Sequence, residues 1–402
     1  MAGRRRAWGA WRVRGAILWL LVGSLTALVA CGGRPGTDTA SADVRRLLDR
    51  RSAAVLAGDG TAYARTGAAA QFTRLRALPL AAWSYRLTAL HRTADGATAD
   101  VELSYRVQGI DKAPVKAGRT LRLTRRDDGR WYVDDDEPAR GTARQLWDEG
   151  TVEAVRGAHS LVLGVGQPPD LLRRYAGLAD RAVPAVTDAW GGAWTKRVVI
   201  LVPKSLEGMA GLLGAPSSAY RGIAAVTTGE AGGSPTAPAD RIIVNPEAYG
   251  VLGGFGKQVV LTHETTHVAT RTATSAATPL WLSEGYADWV GYRSTGRTAV
   301  QAAPELARAV VAGQVPDALP VDADFGFGGD AAKLAQAYEG GWLACRLIAD
   351  RWGEVRLGEF YRAVGAHGKR AGAVRGALAK VLGTTPAEFT GLWREYLRAQ
   401  LG

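Results

Sequence analysis

Cysteine and histidine are scarce in this chain. Its 402 residues include two cysteines, Cys31 and Cys345, and five histidines. Two cysteines leave no disulfide framework, and 47% hydrophobic residues suffice to build a core instead. The length suits two domains. Cys345 lies among Leu343, Ala344 and Leu347 on a helical pattern and reads as a buried small apolar residue rather than a nucleophile. Ala16 to Ala30 is apolar over 15 residues, short of the roughly 20 that span a membrane. Arginines are spread along the chain instead of clustering with aromatics, which speaks against a nucleic-acid partner. Internal repeats are absent. The acidic run Asp134, Asp135, Asp136 and Glu137 lacks the spaced carboxylates and glycine of a calcium loop and reads as a solvated strand end.

The chemistry that is present is concentrated. Two of the five histidines fall in the run Val-Val-Leu-Thr-His-Glu-Thr-Thr-His-Val-Ala from Val259 to Ala269. Positions i and i+4 of a helix share one face, so His263 and His267 can reach one metal ion. Glu264 follows the first histidine and can approach the outer side of that ion, where a bound water lies. Val259, Val260, Leu261 and Val268 flank the motif, so the helix is buried and an unpaired glutamate on it is costly. Zinc suits two neutral imidazoles and a carboxylate with one position open to water.

The third ligand is legible downstream. Thr-Pro-Leu-Trp-Leu-Ser-Glu-Gly-Tyr-Ala-Asp-Trp-Val runs from Thr278 to Val290. Thr278 is expected as N-cap and Pro279 as the first helical residue. Glu284 lies on this second helix, far enough beyond His267 for a turn and an antiparallel return. Asp288, four residues on, shares its face and is placed to accept the other N–H of a ligating histidine.

H-E-T-T-H followed by W-L-S-E-G-Y-A-D-W resembles the gluzincin branch of zinc metallopeptidases, in particular the peptidase MA-like domains, over roughly residues 150 to 400. The resemblance implies His263, His267 and Glu284 as zinc ligands, Glu264 as general base and Asp288 as the support of a ligand. The segment Ala337 to Ile348 is similar to the Y-E-K-G segment of gluzincin aminopeptidases. Its Tyr338 matches the tyrosine that stabilises the tetrahedral intermediate, and a phenol can donate to a developing oxyanion. One stretch departs from that family. The G-x-M-E-N sequence that binds a substrate's amino group is missing, and Arg221 to Glu230 reads R-G-I-A-A-V-T-T-G-E. That favours an endopeptidase, or a site of unknown specificity, acting on a peptide or protein substrate. The rival expectation is a non-catalytic surface lipoprotein that keeps the fold as a binding module.

The first 30 residues look like a targeting signal. Arg4, Arg5, Arg6, Arg12 and Arg14 precede the apolar stretch, which ends Leu28-Val29-Ala30-Cys31-Gly32. This resembles a bacterial lipobox, in which the cysteine becomes the lipidated first residue and anchors the protein to the extracytoplasmic face of the membrane. Residues 31–41 then form a flexible tether. Removing residues 1–30, with five arginines and no acid, leaves 45 basic and 38 acidic side chains, a net charge of +7.

The expected fold class is α+β. Residues 42–145 open with a helix carrying Val44, Leu47, Leu48 and Val55. Alternating runs around Trp83–Leu87, Ala99–Val107, Arg119–Thr124 and Arg130–Val133 follow, with a turn at Asp128-Gly129. A helix followed by a curved antiparallel sheet is loosely similar to the nuclear transport factor 2-like cone, and no polar cluster is legible in it. Residues 147–402 are expected as a mainly helical zincin-like domain with a small mixed sheet. Its strands are read at Ser160–Val165, Arg197–Val202, Gly222–Thr228 and Arg241–Asn245, with a helix from Asp170 to Trp190. Gly222–Thr228 is the candidate edge strand for extended substrate. Thr385-Pro386-Ala387-Glu388 is a capping box that opens the last helix.

Overall fold

The computed structural model describes residues 39–229, 237–326 and 329–402; Ala16–Ala30, Cys31 and most of the tether lie outside the described residues. Three helices come first, α1 (Thr39–Ala57), α2 (Gly60–Ala64) and α3 (Ala70–Leu75). Val44, Leu47, Leu48 and Val55 recur at helical spacing and bury one face of α1. Four antiparallel strands follow in sequence order: β1 (Leu80–Arg92), β2 (Ala97–Val107), β3 (Val115–Arg125) and β4 (Trp131–Pro138). Alternation is clearest in β2, where Ala97, Ala99, Val101, Leu103, Tyr105 and Val107 are buried. In the last hairpin Asp128 Oδ1 accepts from Arg130 N, and Gly129 takes a φ of 75°, which glycine adopts without steric cost.

The acidic run departs from the expectation at Asp136. Its carboxylate is buried against Arg119, whose Nε donates to Asp136 Oδ1 at 2.7 Å and whose Nη1 lies 2.9 Å from Asp148. Arg51 is also buried, donating to Thr66 Oγ1 at 3.0 Å and lying 3.9 Å over the Tyr63 ring. The first sheet and its helices therefore do enclose a polar cluster. Strand alternation could not show it, because each partner comes from a different element.

The second sheet has the order β5-β6-β7-β9-β8, with β5 (Val152–Arg156), β6 (Ser160–Val165), β7 (Val198–Val202), β8 (Ala225–Thr227) and β9 (Arg241–Val244). The three central strands are parallel and the two outer pairings antiparallel. Half-exposed β5 carries no apolar alternation and is absent from the sequence reading. Helix α4 (Pro169–Trp190) links β6 to β7 and ends at Gly191, whose φ is 60°. Alternation in β6 divides two cores: Leu161, Leu163 and Val165 pack with the first sheet, and Val162 packs with α4. Trp147 lies 5.4 Å from Trp83 and 5.1 Å from Tyr105, ring to ring, so one apolar core serves both sheets at this junction.

The remainder is mainly helical: α5 (Leu206–Leu213), α6 (Pro246–Gly250), α7 (Gly254–Thr270), α8 (Leu280–Tyr292), α9 (Ala299–Ala302), α10 (Pro304–Val311), α11 (Ala331–Trp352), α12 (Glu354–Gly365), α13 (Ala373–Ala377) and α14 (Pro386–Leu401). This is the expected α+β architecture. The Thr385 capping box opens α14. Thr278 is not the cap of α8. Pro279 occupies that position, and the Thr278 hydroxyl accepts instead from Ser275 N in the preceding turn. Helices α8 and α11 cross at two glycines. A Cβ on Gly285 would lie 2.2 Å from Gly341 O, and one on Gly341 would lie 2.7 Å from Trp281 O. Glycine on both sides lets the two backbones touch, which draws α11 onto the helix that carries Glu284. Among the described residues no helix is long and apolar enough to cross a membrane.

Candidate metal centre

Helix α7 carries His263, Glu264 and His267, and α8 carries Glu284 and Asp288. The two imidazoles stand one turn apart with ring centroids 4.7 Å from each other. His263 Nε2 and His267 Nε2 are 3.0 Å apart, and Glu284 Oε2 lies 3.3 Å from the first and 3.4 Å from the second. The side chains of His263, His267, Glu284 and Asp288 are between 13% and 19% exposed, so the cluster is largely buried and still partly reachable by solvent.

Asp288 Oδ1 accepts from His263 Nδ1 at 2.7 Å. That bond fixes the proton of a neutral ring on Nδ1 and leaves Nε2 with a bare lone pair. This lone pair faces both His267 Nε2 and Glu284 Oε2. Three electron-rich atoms converging on one point repel unless protons or a cation lie between them. Their separations also match a tetrahedral zinc site, whose ligand atoms at about 2.0–2.1 Å from the ion stand about 3.3 Å from one another. The residues therefore fit the ion by donor type and by spacing. Among the described residues His263, His267 and Glu284 form a group whose ligand atoms all lie within 4.8 Å of one another.

The ionisation equilibria follow the same geometry. Burial disfavours the charged form of His263, but Asp288, Glu284 and Glu264 outweigh it and hold the imidazole pKa well above its usual value. Burial likewise opposes the charge of Glu284, and His267 and His263 overcome it to bring the carboxyl far below the usual carboxylate range. Without an ion the cluster carries protons in its place, so metal binding releases them.

Glu264 is buried beside this triangle, and its Oε2 accepts from Thr227 Oγ1 at 2.6 Å. Tyr338 lies well inside α11, with its ring edge-on to Phe325 at 5.1 Å. Burial raises its phenol pKa far above the usual value, and the charges of Glu284, Asp288 and Glu264 raise it further. The hydroxyl therefore stays protonated and has no hydrogen-bond partner among the described residues. Cys345 is buried on α11, with its thiol toward Leu282 O on α8, and takes no part in the cluster.

No protein-family model matches the chain, and no curated protein sequence does. Among solved structures it is similar to a variant M1 zinc metallopeptidase from Deinococcus radiodurans bound to a Tyr-Ser-Ala substrate, at 14% identity over 79% of this chain and 61% of that one, with a TM-score of 0.36. A second M1 zinc metallopeptidase structure from the same organism is similar at 16% identity over 79% of this chain and 70% of that one, with a TM-score of 0.37. Native yeast LTA4 hydrolase is similar at 13% identity over 70% of this chain and 44% of its own, with a TM-score of 0.38. The chain thus spans less than two thirds of the length of the first and the last of these. Likeness at this level carries no argument about function, which has to rest on the side chains themselves.

Sequence reasoning passed over two features beside the cluster. One is Thr227, at the end of edge strand β8 and 37 positions before the glutamate it touches. The other is the clamp around the loop that follows β8. Arg271, just past α7, donates to Asp240 at 2.8 Å and to Thr228 O at 3.0 Å. Arg241 pairs with the buried Asp111 of the β2–β3 connection at 2.8 Å. Neither has a local signal, since the partners are neighbours only after the sheet has formed.

Proposed function

We propose that the protein is a zinc-dependent peptidase that hydrolyses peptide bonds, with His263, His267 and Glu284 holding the ion. The observation that carries this reading is the convergence of three ligand atoms of zinc-binding type at 3.0–3.4 Å from one another, with Glu264 one residue from a ligand. When bound, the ion supplies an activated water and positive charge at the scissile carbonyl oxygen. Glu264 accepts the proton of the attacking water on its carboxylate and passes it to the leaving amine. Tyr338 donates its hydroxyl proton in a hydrogen bond to the oxygen that gains charge. Asp288 keeps the His263 proton on Nδ1, so that Nε2 remains a ligand.

Among the described residues no strand pairs with the outer edge of β8, and an extended peptide can add to it by backbone hydrogen bonds. The endopeptidase reading rests on the sequence, which lacks the G-x-M-E-N stretch whose glutamate binds a free amino group. The lipobox reading adds an anchor: lipid on Cys31 would hold the enzyme on the extracytoplasmic face of the membrane.

The deciding experiment pairs metal analysis with cleavage of a peptide library. Wild type is expected to hold one zinc per chain and to cleave. Glu264→Gln is expected to keep the zinc and lose about a hundred- to ten-thousand-fold in rate, the usual worth of a general base. Equal cleavage by both proteins sinks the peptidase assignment, whatever the metal content. Retained zinc with no cleavage by wild type leaves the binding-module alternative. For the anchor, Cys31→Ser should abolish lipid processing, and an unchanged mass and membrane partition would rule it out.

A further inference from the structure

Resting on the peptidase reading, we propose that Thr227 is the positioning residue of the general base. Its hydroxyl pins one oxygen of Glu264 so that the other faces the attacking water.

Thr227 Oγ1 lies 2.6 Å from Glu264 Oε2 and 3.1 Å from the carbonyl oxygen of the same residue. A threonine hydroxyl has one proton to give. The shorter separation is that of a charge-assisted O–H···O bond, so the proton lies on the carboxylate contact. A carboxylate has two equivalent oxygens and a soft terminal torsion. Left alone, Glu264 would turn about that torsion and present either oxygen at varying angles. With Oε2 engaged, Oε1 is the oxygen free to take a proton, and its direction is fixed.

The anchor itself is held. Thr227 ends β8 in register with Ile242 of β9. Its neighbour Thr228 donates its N–H to Arg241 O at 2.8 Å, accepts from Arg241 N on its hydroxyl at 2.9 Å, and gives its carbonyl to Arg271 at 3.0 Å. Arg241 is tied in turn to Asp111, which also accepts from Val107 N at 2.8 Å and from Ala239 N at 3.1 Å. The hydroxyl that aims the base therefore stands on a strand end fixed to the first sheet on one side and to the end of α7 on the other. The same strand offers the open edge to substrate, so one element sets both the peptide and the base. Strand propensity asks only for a β-branched residue here, and valine would meet it. The hydroxyl is the part that this role uses.

The test compares the full zinc-loaded chain as wild type, Thr227→Val, Thr227→Ser, Glu264→Gln and the Thr227→Val/Glu264→Gln double variant. Thr227→Val preserves volume and β-branching. It is expected to keep its zinc affinity and KM while kcat falls about 10- to 100-fold, the worth of one hydrogen bond to a charged group. Thr227→Ser, which restores the hydroxyl, is expected to recover most of that loss. In the double variant the valine is expected to cost nothing beyond Glu264→Gln, because a residue acting only through the base has nothing left to act on. A crystal structure of the zinc-loaded Thr227→Val protein should show the Glu264 carboxylate rotated from its wild-type direction. Wild-type kcat in Thr227→Val, a full additional loss in the double variant, or an unmoved carboxylate overturns the proposal. Each of those leaves the peptidase reading standing if Glu264→Gln alone is inactive. A wild type that holds zinc and cleaves no peptide overturns both.

Discussion

Replacing Asp288 by asparagine tests the site through a residue outside the group of three candidate ligands. Asp288 Oδ1 receives the His263 Nδ1 proton at 2.7 Å, and its side chain is 17% exposed, so little water is on hand to replace the bond. Asparagine fills the same space without the charge. If its amide presents oxygen, the tautomer survives but the charge assistance is lost. If it presents its NH2, the ring must turn its Nδ1 lone pair to it and carry the proton on Nε2, the atom that would bind the metal. The loss of one hydrogen bond to a charged group is about 1.5–3 kcal/mol. That corresponds to roughly 10- to 100-fold weaker zinc binding, the range found for such supporting carboxylates. Competition with a chromophoric chelator measures it, and the melting temperature of the metal-free protein checks that folding is intact. The change should add nothing on a His263→Ala background, where there is no imidazole to orient. Unchanged zinc affinity in Asp288→Asn, or an equal loss on both backgrounds, would refute the reasoning.

Other outcomes are equally specific. Tyr338→Phe is expected to retain zinc and lose less rate than Glu264→Gln, because the ion still carries most of the oxyanion charge; a loss as large as that of Glu264→Gln in steady-state kinetics would contradict this. Gly285→Ala puts a methyl 2.2 Å from Gly341 O and should cost about 1–3 kcal/mol by overpacking, read as a lower melting temperature together with weaker zinc binding; an unchanged melt would contradict the crossing. Burial pushes the Glu339 carboxyl up to about 7 from an unperturbed 4.5, although it accepts from Glu305 N and Leu306 N at the start of α10. A carboxyl with a raised folded-state pKa contributes stability that is full below pH 4.5 and is lost as the pH rises through about 7. Melting temperatures of wild type and Glu339→Gln should therefore move in favour of the glutamine variant over that window, and a constant difference would be the contrary result.

The sequence by itself determined what depends on local period. The 3.6-residue repeat puts His263 and His267 on one face and sets Asp288 one turn from Glu284, because side-chain direction on a helix is fixed by spacing alone. Period-two alternation located the four strands of the first sheet, and the split of β6 between two cores is the same rule read on both faces. Caps were legible where side chain and backbone satisfy each other within one turn, as at Thr385. They were not at Thr278, where a nearby turn competes for the hydroxyl. Only the tertiary structure decided the rest. It buried Arg119 between Asp136 and Asp148, ended β8 at Thr227 against Glu264, and closed the Gly285–Gly341 crossing that brings Tyr338's helix onto α8. Those contacts join residues from separate elements, and hydrogen bonds, ion pairs and close packing depend on distance in space. The pattern along a chain records which face of an element is apolar, and leaves open which element will lie against it.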